Sequence, residues 1–222
     1  MSSSGFKLDT SKRTRIYLIR HGVVAPESRD CFNGRTEAAL DPEGLAQIGR
    51  VAEYLKSAPP DHIYASPLQR CRDSAGVLSR AFGKEIEIEE GLREMDFGEA
   101  DGMHFKEVRT RFAQETAAWY ADLADYRLPG AETMSEVQQR AWGAVSRIVE
   151  RRQGRTVAVQ AHGGVNRLIL ARVLGVPVGK VLNLAQDYAC LNILEFWPDR
   201  TIVKGLNIQV EETLPASPFD AS

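Results

Sequence analysis

Two apolar runs in this chain end in the same dipeptide. IYLI leads into Arg20-His21-Gly22, and VAVQ leads into Ala161-His162-Gly163-Gly164. An imidazole can attack a substrate or move a proton near neutral pH. The neighbouring glycines let backbone N–H groups come close to a ligand. Gly163-Gly164 also opens a helical pattern, whose first free N–H groups favour an anion. A third apolar run is followed by Ser66-Pro67-Leu68-Gln69-Arg70. Arg70 then falls in the first turn of a helix, where the dipole disfavours a cation, so a bound anion is the reason expected for it. With Arg20 beside His21, two guanidiniums and two imidazoles are available to one crevice. That set suits a phosphate monoester. Glu94, in Leu92-Arg93-Glu94-Met95-Asp96-Phe97-Gly98, adds a carboxylic acid. Partly buried and pressed by a phosphate's charge, it can hold a proton for a leaving oxygen.

Each of these residues alone is more often structural: a core histidine, a solvated arginine, a surface acid. What points to a site is that four separate strand ends deliver them. In an open parallel sheet, ligands bind outside the carboxyl ends of the strands. The pattern of short apolar runs alternating with helical segments predicts such a sheet. Strands are expected at Arg15–Ile19, His62–Ala65, Ile86–Ile88 and Val157–Gln160. A closing hairpin, Leu191–Trp197 and Thr201–Leu206, turns at Pro198-Asp199-Arg200 and makes one strand antiparallel. Asp41-Pro42 opens a helix as N-cap and first helical residue, with Leu45, Ile48, Val51, Ala52 and Leu55 at core spacing. Ser66-Pro67 is expected to open the next helix in the same way, ending at Gly83. Residues 103–126 read as mostly helical, Met134–Arg152 as a long helix, and a last helix stops at Gly175. The fold expected is a three-layer α/β sandwich in a single domain over residues 1–222. Its core spans about 14–210 and a small helical cap about 100–133, with loose tails at 1–13 and 213–222.

The balance of 28 basic and 30 acidic side chains leaves a net charge of −2. A broad nucleic-acid surface wants a basic excess, so none is expected. Cys31, Cys71 and Cys190 share no metal-ligand spacing, and an odd count suits a reducing compartment. No run approaches the apolar length of a membrane span or a signal peptide. A cytoplasmic protein without metal or cofactor is expected. The final hairpin leaves a homodimer open.

Arg20-His21-Gly22, Ser66-Pro67-Leu68-x-Arg70, Leu92-Arg93-Glu94-Met95-x-Phe97-Gly98 and His162-Gly163-Gly164, in this order, resemble the histidine phosphatase superfamily with its phosphoglycerate mutase-like fold. The resemblance spans residues 15–207. It implies that His21 is the nucleophile that becomes a phosphohistidine, and that Arg20, Arg70 and His162 hold the phosphate oxygens. It makes Glu94 the general acid and then the base that activates water. It gives one histidine a neutral and the other a donating role. Family members often follow the first motif with a polar pair and then a phosphate-contacting Asn. Here Val23-Val24 stands in place of the pair, and the Asn of this loop is Asn33, carried over with Gly34 and Gly163 as substrate-binding.

The stretch Cys31–Leu40 and the segments Gln186–Asn192 and Leu206-Asn207 are similar to α-ribazole phosphatases of cobalamin biosynthesis. Pro129-Gly130-Ala131-Glu132-Thr133 resembles a segment whose Glu lies near the substrate mouth in many members. The resemblance thus implies a metal-independent phosphomonoesterase, with α-ribazole 5′-phosphate as a candidate substrate whose base would stack on Phe32, Trp119 or Tyr120. A phosphoglycerate mutase-type phosphotransferase and a non-catalytic phospho-ligand scaffold stay open.

Overall fold

A computed structural model describes residues 13–211. The expected tails lie outside the described residues, apart from Arg13, which pairs with Glu195 at 3.1 Å. Six strands form one sheet: β1 (Thr14–Arg20), β2 (His62–Ala65), β3 (Ile86–Ile88), β4 (Thr156–Ala161), β5 (Leu191–Phe196) and β6 (Thr201–Ile208). Their spatial order is β3-β2-β4-β1-β5-β6. β5 is antiparallel to both its neighbours, and the other pairings are parallel. Among the described residues six α-helices accompany it: α1 (Pro42–Tyr54), α2 (Gln69–Phe82), α3 (Phe105–Arg111), α4 (Ala113–Ala121), α5 (Met134–Arg151) and α6 (Gly163–Leu174).

β1 is apolar from Ile16 to Ile19 because both of its faces are covered. Ile16 and Leu18 pack with Val137, Ala141, Val165 and Ile169 of α5 and α6. Tyr17 and Ile19 point the other way, onto Ile48 and Val51 of α1 and Leu78 of α2. This period-2 alternation makes the three layers expected from the sequence.

The register of the central strands positions the chemistry. β1 pairs with β4 so that Arg20 faces Ala161, and His21 N–H donates to Ala161 O at 3.0 Å. Each histidine is the next residue on its strand, so the pairing sets them side by side. Ala65 of β2 faces Gln160, which brings Ser66 to the same edge. α1 begins with the predicted cap, Asp41 accepting from Glu43 N at 2.9 Å. Its Gly44 lies against Gly22: a Cβ at Gly22 would stand 2.2 Å from Gly44 O. This backbone-to-backbone contact is open only to residues without a side chain, and it draws α1 against the first His-Gly turn.

Two local expectations are corrected. α2 starts at Gln69, with Leu68 at the N-cap and no side-chain cap. Ser66 is not the N-cap: its hydroxyl accepts from Leu68 N at 3.4 Å and meets His162 Nε2 at 2.8 Å, and Glu37 accepts from Gln69 N. Leu45 is exposed; Gly44 takes the buried position on that turn. Residues 103–126 are mostly helical as expected, as α3 and α4 with a break at Phe112 and an end at Ala121. No helix among the described residues is long and apolar enough to cross a membrane.

Candidate active site

His21 leaves the end of β1 almost completely buried. Its Nδ1 lies 2.8 Å from Gly22 O. A carbonyl only accepts, so Nδ1 carries the proton and Nε2 keeps its lone pair. Burial and then the charges of Arg20 and Arg70 push this imidazole well below its ordinary pKa, so it is neutral near pH 7.

His162 is fully buried with its ring 5.3 Å from that of His21. Arg70 Nε donates to its Nδ1 at 3.2 Å, so the ring proton sits on Nε2 and goes to Ser66 Oγ. It too is held well below its ordinary pKa, by burial and then by Arg70, His21 and Arg20. The two histidines therefore differ in tautomer and in partner, not in charge.

Arg70 is 1% exposed. Besides His162, it donates to Thr36 O (3.0 Å), Asn33 O (2.7 Å) and Gly34 O (2.9 Å). Asp101 organises that loop by accepting from the amides of Gly34, Arg35 and Thr36. Asn33 and Gly34 thus meet Arg70 through their carbonyls, while the Asn33 amide is turned to Ser28 O. Among the described residues these carbonyls and His162, not a carboxylate, are the partners found for Arg70. A buried guanidinium left in this state keeps a net positive charge under the crevice.

Glu94 is 9% exposed. One carboxylate oxygen accepts from Met95 N at 2.9 Å and the other from Gly164 N at 3.1 Å, at the first turn of α6. Arg140 donates to the Glu94 carbonyl at 3.0 Å and also to Gly91 O. Arg140 is itself held by Glu132 at 2.8 Å. Glu132 is therefore not at the substrate mouth, as its segment suggested. It is half-buried, and hydrogen bonds from Arg140 and from Asp96 N, with the charge of Arg140, hold it below the usual carboxylate range against its own burial.

Over these groups lies a cavity of about 570 Å³. Arg20, His21, Asn33, Glu94, Gly163 and Gly164 line it. Arg70 and His162 sit directly beneath its lining, and Gly34 lies outside it. The remaining wall carries an aromatic group, Phe32, Phe97, Phe105, Trp119 and Tyr120, beside aliphatic and charged side chains. Phe32 is the hub, 4.8 Å from both Phe97 and Phe105 and 6.2 Å from Trp119. Edge-on contacts of this kind hold the rings in fixed orientations.

The family model of the histidine phosphatase superfamily, branch 1, matches residues 16–209. The chain belongs to this superfamily. Its relatives include a metal-independent phosphoserine phosphatase of Arabidopsis thaliana, 29% identical over 197 residues, covering 85% of this chain and 83% of the relative. A protein of Salmonella paratyphi C named a probable phosphoglycerate mutase is 28% identical, covering 86% and 89%. A bifunctional protein of Mycobacterium tuberculosis is 31% identical over 187 residues, 84% of this chain; the chain spans about half of that protein, 51% of its length. The crystal structure of the α-ribazole phosphatase of Shigella flexneri superposes with a TM-score of 0.80 at 22% identity, covering 90% of this chain and all of that one. At that identity the likeness concerns the fold.

Arg167 and Tyr188 also line the cavity and were not marked as site residues from the sequence. Arg167 stands one turn beyond Gly163 on α6, and that i+4 spacing from the His-Gly turn is the signal that marks it. Tyr188 comes from the loop before β5 and places its ring 3.8 Å from the Arg20 guanidinium and 5.6 Å from the His21 ring. Tyr188 falls inside the Gln186–Asn192 segment singled out above for its resemblance, where it was not marked as a site residue.

The neutral histidines give a pH signature of stability. Each folded pKa lies below the unfolded value of 6.5. Below pH 6.5 the unfolded chain therefore binds protons that the folded one refuses. Stability is complete above 6.5 and falls on acidification by about 1.4 kcal/mol per pH unit for each such group. Thermal melts at pH 7.5 and 5.5 are expected to show a smaller acid loss in His162→Gln than in the parent. Equal losses would mean that His162 takes up a proton in the folded state.

Proposed function

We propose that this protein hydrolyses a small-molecule phosphate monoester in two steps through a phosphohistidine on Nε2 of His21. The observation that carries the reading is the His21 tautomer. The Gly22 carbonyl holds the proton on Nδ1, and the free Nε2 belongs to a side chain lining the cavity. In the first step Nε2 attacks phosphorus and the bond to the ester oxygen breaks. Glu94, entering as the acid, gives its proton to the departing alcohol. In the second step the Glu94 carboxylate takes a proton from water, the water oxygen bonds to phosphorus, and the P–N bond breaks to release phosphate and free His21.

Arg20 and the Gly163 end of α6 hold the phosphoryl oxygens from the cavity side, and Arg70 with His162 supports them from beneath. Guanidiniums and a helix terminus can supply the charge that this transfer demands. The reaction proposed therefore uses no metal. A cavity this size accommodates much more than phosphate, and its aromatic wall suits an alcohol that carries a ring. α-Ribazole 5′-phosphate is the substrate proposed, its base stacking on Phe32, Trp119 or Tyr120.

The test is phosphate release by purified protein in EDTA across a panel of esters, including α-ribazole 5′-phosphate, O-phosphoserine and 3-phosphoglycerate. Chelator-resistant release supports the reading, and the best ester names the substrate. Failure to release phosphate from any ester, with transfer from a bisphosphoglycerate instead, would replace it with the mutase. The mutase is the second reading, favoured by the Salmonella relative.

A further inference from the structure

Arg167 and Arg20 approach the same point. A Cβ placed on Gly163 would stand 3.2 Å from Arg20 Nε and 3.3 Å from Arg167 Nη1. Both guanidiniums thus flank the first residue of α6, where the helix dipole is also positive. One loop restrains both of them. Leu184 O accepts from Arg167 Nε at 2.8 Å, Gln186 O accepts from Arg20 Nη1 at 2.6 Å, and the Tyr188 ring covers Arg20. Carbonyls and a ring face orient a guanidinium without cancelling its charge. The acids whose charge reaches Arg167 are Glu94 and Asp187; Glu94 accepts from Met95 N and Gly164 N, and Asp187 from Asn207 Nδ2. Arg20 Nε is buried and finds no partner among the described residues. Burial, and next the charge of Arg20, lower the proton affinity of Arg167. Two like charges held side by side in a cavity are stabilised when an anion sits between them.

We infer that Arg167 is a second anion-binding residue of this site, forming with Arg20 a notch over Gly163 that receives anionic oxygens of the substrate. The inference builds on the phosphomonoesterase reading and adds a recognition residue to it. Two groups of a substrate could supply those oxygens: the phosphoryl group itself, or a carboxylate on the alcohol.

Arg167→Gln separates them. Calorimetric binding of inorganic phosphate reads the first source and needs no turnover. The ratio of kcat/KM for O-phosphoserine over O-phosphoethanolamine, which differ by a carboxylate, reads the second. A charged hydrogen bond of this kind corresponds to a loss of about tenfold or more. Weaker phosphate binding by that factor assigns the notch to the phosphoryl group. Retained phosphate binding with a tenfold fall in the ratio assigns it to a carboxylate. In either case Arg167→Lys restores part of the loss, since charge returns without the fork. Unchanged phosphate affinity with an unchanged ratio, even if every ester slows equally, overturns the inference and leaves Arg167 as an anchor for Leu184. A parent protein that turns over no ester would sink the hydrolase reading alone, because calorimetric binding of phosphate, O-phosphoserine and O-phosphoethanolamine still decides whether Arg167 binds an anion.

Discussion

His21→Ala is expected to abolish ester turnover, by about four orders of magnitude or more, while inorganic phosphate still binds within about threefold of the parent affinity. The split follows from where the charges sit. The side chain removed is a neutral ring whose proposed contribution is one lone pair. The cations, Arg20, Arg70 and Arg167, remain, and so does the α6 terminus. Arg20 is steadied by Gln186 O and Tyr188, and Arg70 by three carbonyls and His162, none of which needs His21. Single-turnover labelling with a radioactive ester gives an independent reading: acid-labile label on the parent and none on the variant. If His21→Ala retained a substantial part of the parent rate, water would be attacking the ester directly and no phosphohistidine would lie on the path.

Glu94→Gln is expected to divide substrates by leaving group. An alkyl phosphate needs its departing oxygen protonated, and positioned acids contribute about 10²- to 10⁴-fold. A nitrophenolate leaves without that help, so its first step should slow by less than about tenfold. Equal losses on both esters would assign Glu94 another role, such as holding the first turn of α6. That alternative has a structural basis, because the two carboxylate oxygens accept from Met95 N and Gly164 N. Glutamine offers one accepting oxygen, so one of these N–H groups loses its partner, at a cost of about 1–3 kcal/mol in stability. A thermal melt of the same variant measures that cost separately from the rate. The packing here leaves little freedom for the carboxylate: a Cβ on Gly164 would meet a Glu94 oxygen at 2.6 Å.

Much of this molecule follows from local chemistry along the chain. Asp41 before Pro42 starts α1, because a side-chain oxygen and a fixed φ meet the needs of a first turn. Gly83 and Gly175 end α2 and α6 with φ near +64° and +68°, a conformation that costs a side-chain-bearing residue energy. Apolar runs bounded by such punctuation are strands or helices by their period, and parallel strands gather their carboxyl ends on one edge. The placing of Arg20, His21, Arg70, Glu94 and His162 on that edge is therefore legible before any coordinates. So is the order of the motifs.

What a side chain's donors and acceptors do once there was decided by tertiary structure. Ser66 has the residue type and spacing of an N-cap, yet its hydroxyl serves His162, 96 positions away. Arg70 turns to the carbonyls of Asn33, Gly34 and Thr36 and to a ring nitrogen 92 positions away. Glu132 looks like a mouth residue and is instead half of the pair that holds Glu94 in place through Arg140. Tyr188 joins Arg20 only because β5 pairs with β1 and carries its loop over the site. Propensity and capping act over one turn of chain and are written in the sequence. Hydrogen-bond partners, tautomers and shifted pKa values depend on groups brought together from far along it, and these exist only once the sheet has formed.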